Sequence, residues 1–171
     1  AGHPCAHAER RHVLSDAGRA LYRSADSLLL QARRHQARVG RLATASAAGE
    51  PHVVPVCFVF DGKHVYSAID SKPKRVAAAR LRRLQNLREN PRAGLVVDFY
   101  DEDWTRLRYI LVTGSAEILE TGHDREQALN LLREKYPQYH AMREYGQGPV
   151  IRLTPERIVS WRGIFPAPRA H

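Results

Sequence analysis

The sequence predicts a mainly β fold of the α+β class, a six-stranded antiparallel barrel with flanking helices. Strand-like runs rich in β-branched and aromatic residues alternate with helical periods. The turn Asp61-Gly62 joins two of these runs at the spacing of a tight hairpin. No dinucleotide-binding or Walker fingerprint opens a βαβ unit. Successive hairpins need antiparallel strands, so they argue against a doubly wound parallel sheet.

Length and composition predict one globular domain. The chain has 171 residues, 43% apolar and 26% charged, which is enough for a single core. We expect the domain at residues 16–165, between a flexible N-terminal tail at 1–15 and a short C-terminal tail at 166–171. No apolar run approaches the roughly 20 residues that span a bilayer, and no apolar signal region opens the chain. A soluble, cytoplasmic protein is therefore expected.

The first elements follow from changes in hydrophobic period. Asp16 can cap a first helix that runs to about residue 31. From Arg38 the pattern becomes extended, and a strand is predicted at His52–Phe60. Pro55 lies within this strand, where it predicts a sheet edge, a bulge, or a position at which a ligand replaces the neighbouring strand.

The later elements are delimited by turn residues and by Pro. They are predicted as a strand at His64–Ile69, a helix from Ser71 to Asn90-Pro91, strands at Ala93–Tyr100 and Trp104–Leu119, a helix at His123–Tyr136, and closing strands at Val150–Leu153 and Arg157–Trp161. Side chains alternate along a strand, so Arg106 and Arg108 should share a face with Ile110 and Val112. Two arginines on a face that becomes apolar predict a buried anion or a partner subunit.

A strongly basic segment follows the second strand of the hairpin. Between Ser71 and Arg92 there are eight basic side chains and one carboxylate, within a chain of formal charge +9. Backbone N–H groups of a first helical turn, together with Lys72, Lys74 and Arg75, could surround a phosphate. A solvated basic helix remains the alternative. No aromatic residue is interleaved with the basic ones in this window, which argues against nucleic-acid binding.

Metal binding and nucleophilic catalysis have no convincing candidate in the sequence. His3, Cys5 and His7 lie in a terminal tail that offers nothing to orient them as ligands. The consecutive carboxylates of Asp101-Glu-Asp103 point in different directions, so a solvated turn explains them better than a metal site. Cys5 and Cys57 form no Cys-x-x-Cys pair, and a disulfide framework is not expected. We predict no metal site.

Eight short segments occur in a characteristic order between Ser27 and Gly163. They are Arg41-Leu-Ala-Thr44, His52-Val-Val-Pro-Val56, Asp61-Gly62, Lys72-Pro-Lys-Arg75, Leu84-Gln-Asn-Leu-Arg-Glu-Asn-Pro-Arg92, Asp101-Glu-Asp-Trp104, Gly114-Ser-Ala-Glu117 and Pro155-Glu-Arg-Ile-Val-Ser-Trp161. In order and spacing they resemble the pyridoxamine 5'-phosphate oxidase-like superfamily of flavin-binding split β-barrels. Within it they resemble the branch that depends on the deazaflavin coenzyme F420.

The resemblance implies a homodimer with the cofactor between its subunits. The cofactor ring would lie against Val54, Pro55 and Val56. The phosphate would lie at the end of the next strand and in the basic segment, among Ser67, Ala68, Ile69, Lys72, Lys74 and Arg75. The other subunit would contribute Trp104, Arg106, Arg108 and Trp161. The C-terminal arginine motif of the oxidase is not evident after Trp161, so oxidation of pyridoxamine phosphate itself is not expected.

Charge favours coenzyme F420 over flavin mononucleotide (FMN) as the cofactor. F420 carries a phosphodiester and an oligoglutamate tail, and Arg75, Arg80, Arg82 and Arg83 match this longer anion better than a single phosphate. The hypothesis is an oxidoreductase that transfers hydride from reduced F420 to a small unsaturated substrate. The cofactor supplies the chemistry, so no acid–base motif is needed. The alternatives are an FMN-dependent oxidase, reductase or flavin carrier of the same fold, a non-enzymatic binder, and a nucleic-acid-binding protein.

Overall fold

The computed structural model of the protein describes residues 37–69 and 81–163. The predicted first helix and the candidate phosphate ligands Lys72, Lys74 and Arg75 lie outside the described residues. The strands are β1 Gly40–Ala45, β2 Pro51–Val56, β3 Val59–Phe60, β4 Val65–Ala68, β5 Arg92–Phe99, β6 Arg108–Leu119 and β7 Val150–Arg162. The helices are α1 Arg82–Glu89 and α2 His123–Lys135, with short 3-10 helices at Trp104–Arg106 and Pro137–Ala141.

The seven strands form one antiparallel sheet in the order β2-β1-β5-β6-β7-β4-β3. The outermost strands, β2 and β3, are consecutive in the chain and are separated only by Cys57 and Phe58. Two residues span at most about 7 Å, so the sheet must curl until its two edges approach at this corner. The result is an open, curled half-barrel, and Pro55 lies on an edge strand as predicted.

Three details of the strand prediction were wrong. The predicted strand His52–Phe60 is divided into β2 and β3, and the described sheet has seven strands where six were predicted. The predicted break at Thr154-Pro155 is absent, because β6 pairs with β7 along its whole length and absorbs the irregularity as a bulge beside Gly114. Arg106 lies in a 3-10 turn outside β6, so it does not share the face of Arg108.

Two hydrophobic cores hold the fold together. The first lies inside the curl of the sheet, where side chains from all seven strands meet helix α1; Leu42, Leu84, Leu95, Val112 and Leu153 are all at most 3% exposed. The second lies between α2 and the β3–β4 hairpin and includes Val59, Tyr66, Leu129, Leu132 and Val150. Neither described helix combines the length and the apolar character that a helix needs to cross a membrane.

Tyr136 and Lys135 fasten the corner between β2 and β3. The Tyr136 hydroxyl accepts the Phe58 N–H at 3.0 Å and lies 2.8 Å from the carbonyl oxygens of Arg38 and Phe58. The Lys135 Nζ donates to the Phe58 carbonyl at 2.8 Å and lies 3.9 Å from the centre of the Phe58 ring. Burial raises the pKa of Tyr136 to about 12, so this hydroxyl keeps its proton at ordinary pH.

Lys135 predicts a specific pH dependence of stability. Burial, and secondarily the Arg38 charge, lower the pKa of Lys135 from 10.5 to about 8. The unfolded chain therefore binds more protons than the folded one between these two values, and stability rises with pH across that window. Lys135→Met removes this titration. We expect the free energy of unfolding of the wild type, relative to the variant, to increase between about pH 8 and 10.5, measured by urea unfolding at a series of pH values. A difference that is independent of pH would contradict the assignment.

Candidate functional site

One face of the sheet, called here the outer face, points away from the first core. The strand registers align its residues in three rows. Two rows cross all five strands β2, β1, β5, β6 and β7, and the third crosses only β5, β6 and β7. The rows are Val53, Ala43, Gly94, Thr113 and Arg157; Pro55, Arg41, Val96, Leu111 and Val159; and Asp98, Tyr109 and Trp161.

The outer face is apolar and open to solvent in the described chain. Val53 is 59% exposed and Trp161 42% exposed. Ala43 and Gly94 have little or no side chain, so nothing projects from the middle of the first row and the face is broad and shallow. Five strands at about 4.8 Å spacing make it roughly 19 Å wide between the outer strand axes. Exposed apolar areas of this extent mark interaction surfaces.

Charge and aromatic stacking are distributed unevenly on this face. Arg41 forms an ion pair with Asp98 near the middle. At the β7 end the rings of Tyr109 and Trp161 stack with centroids 5.9 Å apart. On the opposite side of the same end of the sheet, the Arg108 guanidinium lies 4.4 Å from the centre of the Phe99 ring. This end of the sheet therefore presents flat π surfaces together with a cation.

The turn between β5 and β6 is held by its own carboxylates. Asp103 accepts the N–H and the hydroxyl of Thr105 at 3.0 and 2.7 Å, and these hydrogen bonds hold its pKa below the usual range. Asp101 lies 3.3 Å from an Arg106 guanidinium nitrogen. The two carboxylates are thus used inside the turn, and within the described residues no group of three His, Cys, Asp or Glu side chains could hold a metal ion.

A cleft opens between β2 and the carboxyl end of β4. The β3–β4 ladder ends at the pair Val59 and Tyr66, and beyond the corner β2 is paired with β1. Past Tyr66, β4 continues through Ser67 and Ala68 and pairs with β7 on its other side. The two chain segments therefore diverge from the corner, and among the described residues these strand edges have no strand partner, so they can offer backbone N–H and C=O groups to a ligand.

The predicted site residues fall into two groups within one chain. The first group lines the cleft. Pro55 is exposed, Val54 and Ala68 are half-buried, and Val56, Ser67 and Ile69 turn their side chains into the protein. These last three residues offer a ligand mainly their backbone.

The second predicted group lies at the other end of the sheet. It consists of Trp104, Arg106, Arg108 and Trp161, and Trp104 is 55% exposed. Three strands separate Trp161 on β7 from Pro55 on β2, a distance on the order of 19 Å. One chain therefore does not bring the two groups together. Arg82 belongs to neither group, because it forms an ion pair with Glu50 on the turn between β1 and β2.

Sequence reasoning missed Arg125, a charged residue that the fold buries. It lies on the stripe of α2 that also carries Ala128, Leu129 and Leu132, and it is 9% exposed. A charged side chain on the apolar stripe of a helix was the available signal, since such residues are almost never buried without partners.

Comparison with known proteins assigns the fold to a family. Residues 29–162 match the sequence profile of the pyridoxamine 5'-phosphate oxidase family. The chain belongs to this family. A 5a,11a-dehydrotetracycline/5a,11a-dehydrooxytetracycline reductase from Streptomyces rimosus is 35% identical over 123 residues, which cover 71% of this chain and 72% of that protein.

Solved structures agree on the architecture. The heme storage protein HutZ from Vibrio cholerae has a TM-score of 0.61 at 18% identity, covering 78% of this chain and 91% of HutZ. A structure described as an F420 reductase has a TM-score of 0.52 at 21% identity, covering 72% and 90% of the two chains. At these identities the structures establish the fold alone. Family membership and the reductase relative support an oxidoreductase-like function.

Proposed function

We propose that the protein is a homodimeric reductase that binds reduced coenzyme F420 between its subunits. The hydride would pass to a carbon–carbon double bond conjugated with a carbonyl group in a small organic substrate. The observation that carries this proposal is the division of the candidate site into two groups, one beside β2 and the end of β4 and the other around Trp161, which the outer face separates. A site divided in this way is complete only when a second copy covers the face.

Symmetry explains how two copies would complete the site. Of the five strands of the outer face, β5 lies in the middle, with β2 and β7 outermost. A twofold axis that lies between the two copies of β5 and runs parallel to them would therefore set β2 of one subunit against β7 of the other. The cleft beside Pro55 would then face the partner's Trp161, and both copies of the site would form at once. A closed twofold dimer is also the commonest oligomer of soluble proteins.

The described backbone edge of β2 and the aromatic pair near the end of β7 fit a flavin-type ring. The open edge of β2 offers backbone donors and acceptors, which suit the alternating carbonyl and N–H groups of the ring's pyrimidine edge. The stacked Tyr109–Trp161 pair offers π surface to a flat ring or substrate. When bound, the coenzyme supplies the hydride. The residues of this chain orient the ring edge, exclude water and hold the substrate over the ring.

The preference for F420 over FMN has two supports. A structure described as an F420 reductase shares the fold, and the Streptomyces relative is named as a dehydrotetracycline reductase, in keeping with a reductase. The basic window at residues 71–92 suits a long anionic tail. Arg82, Arg88 and Arg92 already pair with Glu50, Glu120 and Glu156, so this second support rests on the remaining basic residues of the window. An FMN-dependent enzyme of the same fold is the alternative.

A titration separates the two cofactors. The apo protein is titrated with F420 and with FMN while ring fluorescence is followed, at fixed salt concentration. We expect F420 to bind at least about tenfold more tightly, a difference of about 1.4 kcal/mol. Oxidation of the reduced coenzyme by conjugated enones is then followed anaerobically. Tighter binding of FMN would favour the alternative, and equally weak binding of both would contradict the enzyme proposal.

A further inference from the structure

Arg125 connects helix α2 to the loop that precedes β7. Its Nη2 donates to the carbonyl of Gly148 at 3.0 Å and also to the carbonyl of Gly146, while Nη1 pairs with Glu126. The side chain is buried, and its Nε has no hydrogen-bond partner among the residues that the structure describes. Keeping a guanidinium buried with one N–H unsatisfied costs free energy. The hydrogen bonds from Arg125 to the carbonyls of Gly146 and Gly148 offset this cost by holding the loop.

The loop held by Arg125 in turn holds the end of β4. The Ile69 N–H donates to the Pro149 carbonyl at 2.9 Å and extends the β4–β7 ladder by one residue. Gly148 approaches Ile69 so closely that a Cβ at residue 148 would lie 2.5 Å from the Ile69 carbonyl oxygen. Ile69 itself is 3% exposed. The position of the Ile69 backbone is therefore fixed by the loop and, through the loop, by Arg125.

We infer that Arg125 is a positioning residue of the cofactor site, acting through Gly146 and Gly148 on the Ser67–Ile69 end of β4. The inference rests on the proposed function and on the resemblance, which implies that this end of β4 binds the phosphate of the cofactor. Arg125 does not contact the cofactor. Its two carbonyl contacts set where the backbone of Ile69 lies, and binding of a rigid anion depends on that position.

The charge pair with Glu126 has a different role from the carbonyl contacts. Glu126 lies on the surface, with 63% of its side chain exposed, and an exposed carboxylate adds little to an ion pair. Glu126→Gln leaves both carbonyl contacts of Arg125 in place and makes a matched control. Arg125→Gln removes both contacts. Gly148→Ala disturbs the same connection from its other end, because the new Cβ would displace the Ile69 backbone.

The test measures cofactor affinity and melting temperature on the same samples, well below the melting temperature. We expect Arg125→Gln and Gly148→Ala each to raise the F420 dissociation constant about tenfold or more, with kcat at saturating cofactor within about twofold of wild type. Glu126→Gln should keep the wild-type dissociation constant. Arg125→Lys should recover melting temperature more than affinity, because a single ammonium does not reproduce the planar fork of donors.

Three results would overturn the inference. The first is that folded Arg125→Gln and Gly148→Ala bind F420 with the same dissociation constant as the wild type. If Arg125→Gln does not fold, the result for Gly148→Ala alone decides. Another is an equal loss of affinity in Glu126→Gln. In both cases the wild type still binds the cofactor, and the proposed function stands. If the wild type binds neither F420 nor FMN, the proposed function fails and the inference fails with it.

Discussion

Gly114→Ala is expected to lower the free energy of unfolding by about 3 kcal/mol or more, in the upper range of single substitutions. A Cβ at residue 114 would lie 2.0 Å from the Thr154 carbonyl oxygen and 3.0 Å from the Glu156 nitrogen. Both neighbours are backbone atoms of β7, which cannot rotate away as a side chain can. The bulge between β6 and β7 must therefore separate, and hydrogen bonds of the most extensive ladder in the sheet are lost.

Gly94→Ala on the adjacent strand β5 is the matched control. Its Cβ would lie 3.7 Å from the Val112 carbonyl oxygen and 3.8 Å from Thr113 Cγ2, which are ordinary contacts. We expect a change within about 0.5 kcal/mol for the isolated chain. Urea unfolding at several protein concentrations separates this effect from any effect on association. If both substitutions lowered the free energy of unfolding equally, the close approach of the β7 backbone would not be the reason that residue 114 must be glycine.

The hairpin at Asp61-Gly62 was predictable because every determinant of it is local. Gly62 has φ +109°, a conformation that a residue with a Cβ rarely adopts. The Asp61 carboxylate accepts the N–H groups of Lys63 and His64 at 2.7 Å each. Burial raises the pKa of this carboxyl, but the backbone donors outweigh burial and leave the pKa lowered. The helix at His123–Lys135 was predictable for a similar reason, since its apolar period is continuous.

The errors lie where pairing across the sheet overrides a local signal. Pro155 reads locally as a strand break, yet β6 supplies a partner on one side and a bulge accommodates the irregularity. At the other end of β6, Asp103 caps a 3-10 turn that includes Trp104, so the strand starts at Arg108 rather than at the tryptophan. In both places the apolar pattern of the sequence does not determine which backbone N–H and C=O groups form hydrogen bonds across the sheet, and so it does not determine where the strand begins or ends.

The candidate site was predictable only in part, because it depends on surfaces that different strands create together. Pro55 lies on an edge strand, one of the three alternatives predicted for it, and the contributions from a second subunit that the resemblance implies stay a prediction. The outer face follows from a signal that the prediction did not use. Strands β5 and β6 are apolar at both alternations, as Val96 beside Val97 and Leu111 beside Val112 show. A strand that faces solvent on one side normally alternates.

Leu111→Glu is expected to convert the proposed dimer into a monomer. Leu111 lies in the middle row of the outer face, between Val96 and Val159, and its side chain does not belong to either described core. Under the proposed symmetry β6 faces β1 of the second copy, where Arg41 is already paired with Asp98, so the new carboxylate would be buried without a charge partner of its own. An unpaired buried charge costs several kcal/mol, so the dimer dissociation constant should rise by at least about 100-fold.

The same substitution should remove cofactor binding, since each site would lose the group contributed by the partner. Gln85→Glu is the matched control, because it makes the same change of charge on an exposed position of α1, away from the outer face. Sedimentation measures the association state, and ring fluorescence measures F420 binding. We expect dimer and binding to be lost together in Leu111→Glu and kept together in Gln85→Glu. A monomeric Leu111→Glu that still binds F420 with wild-type affinity would show that one chain holds a complete site, and a dimeric one would place the subunit contact elsewhere.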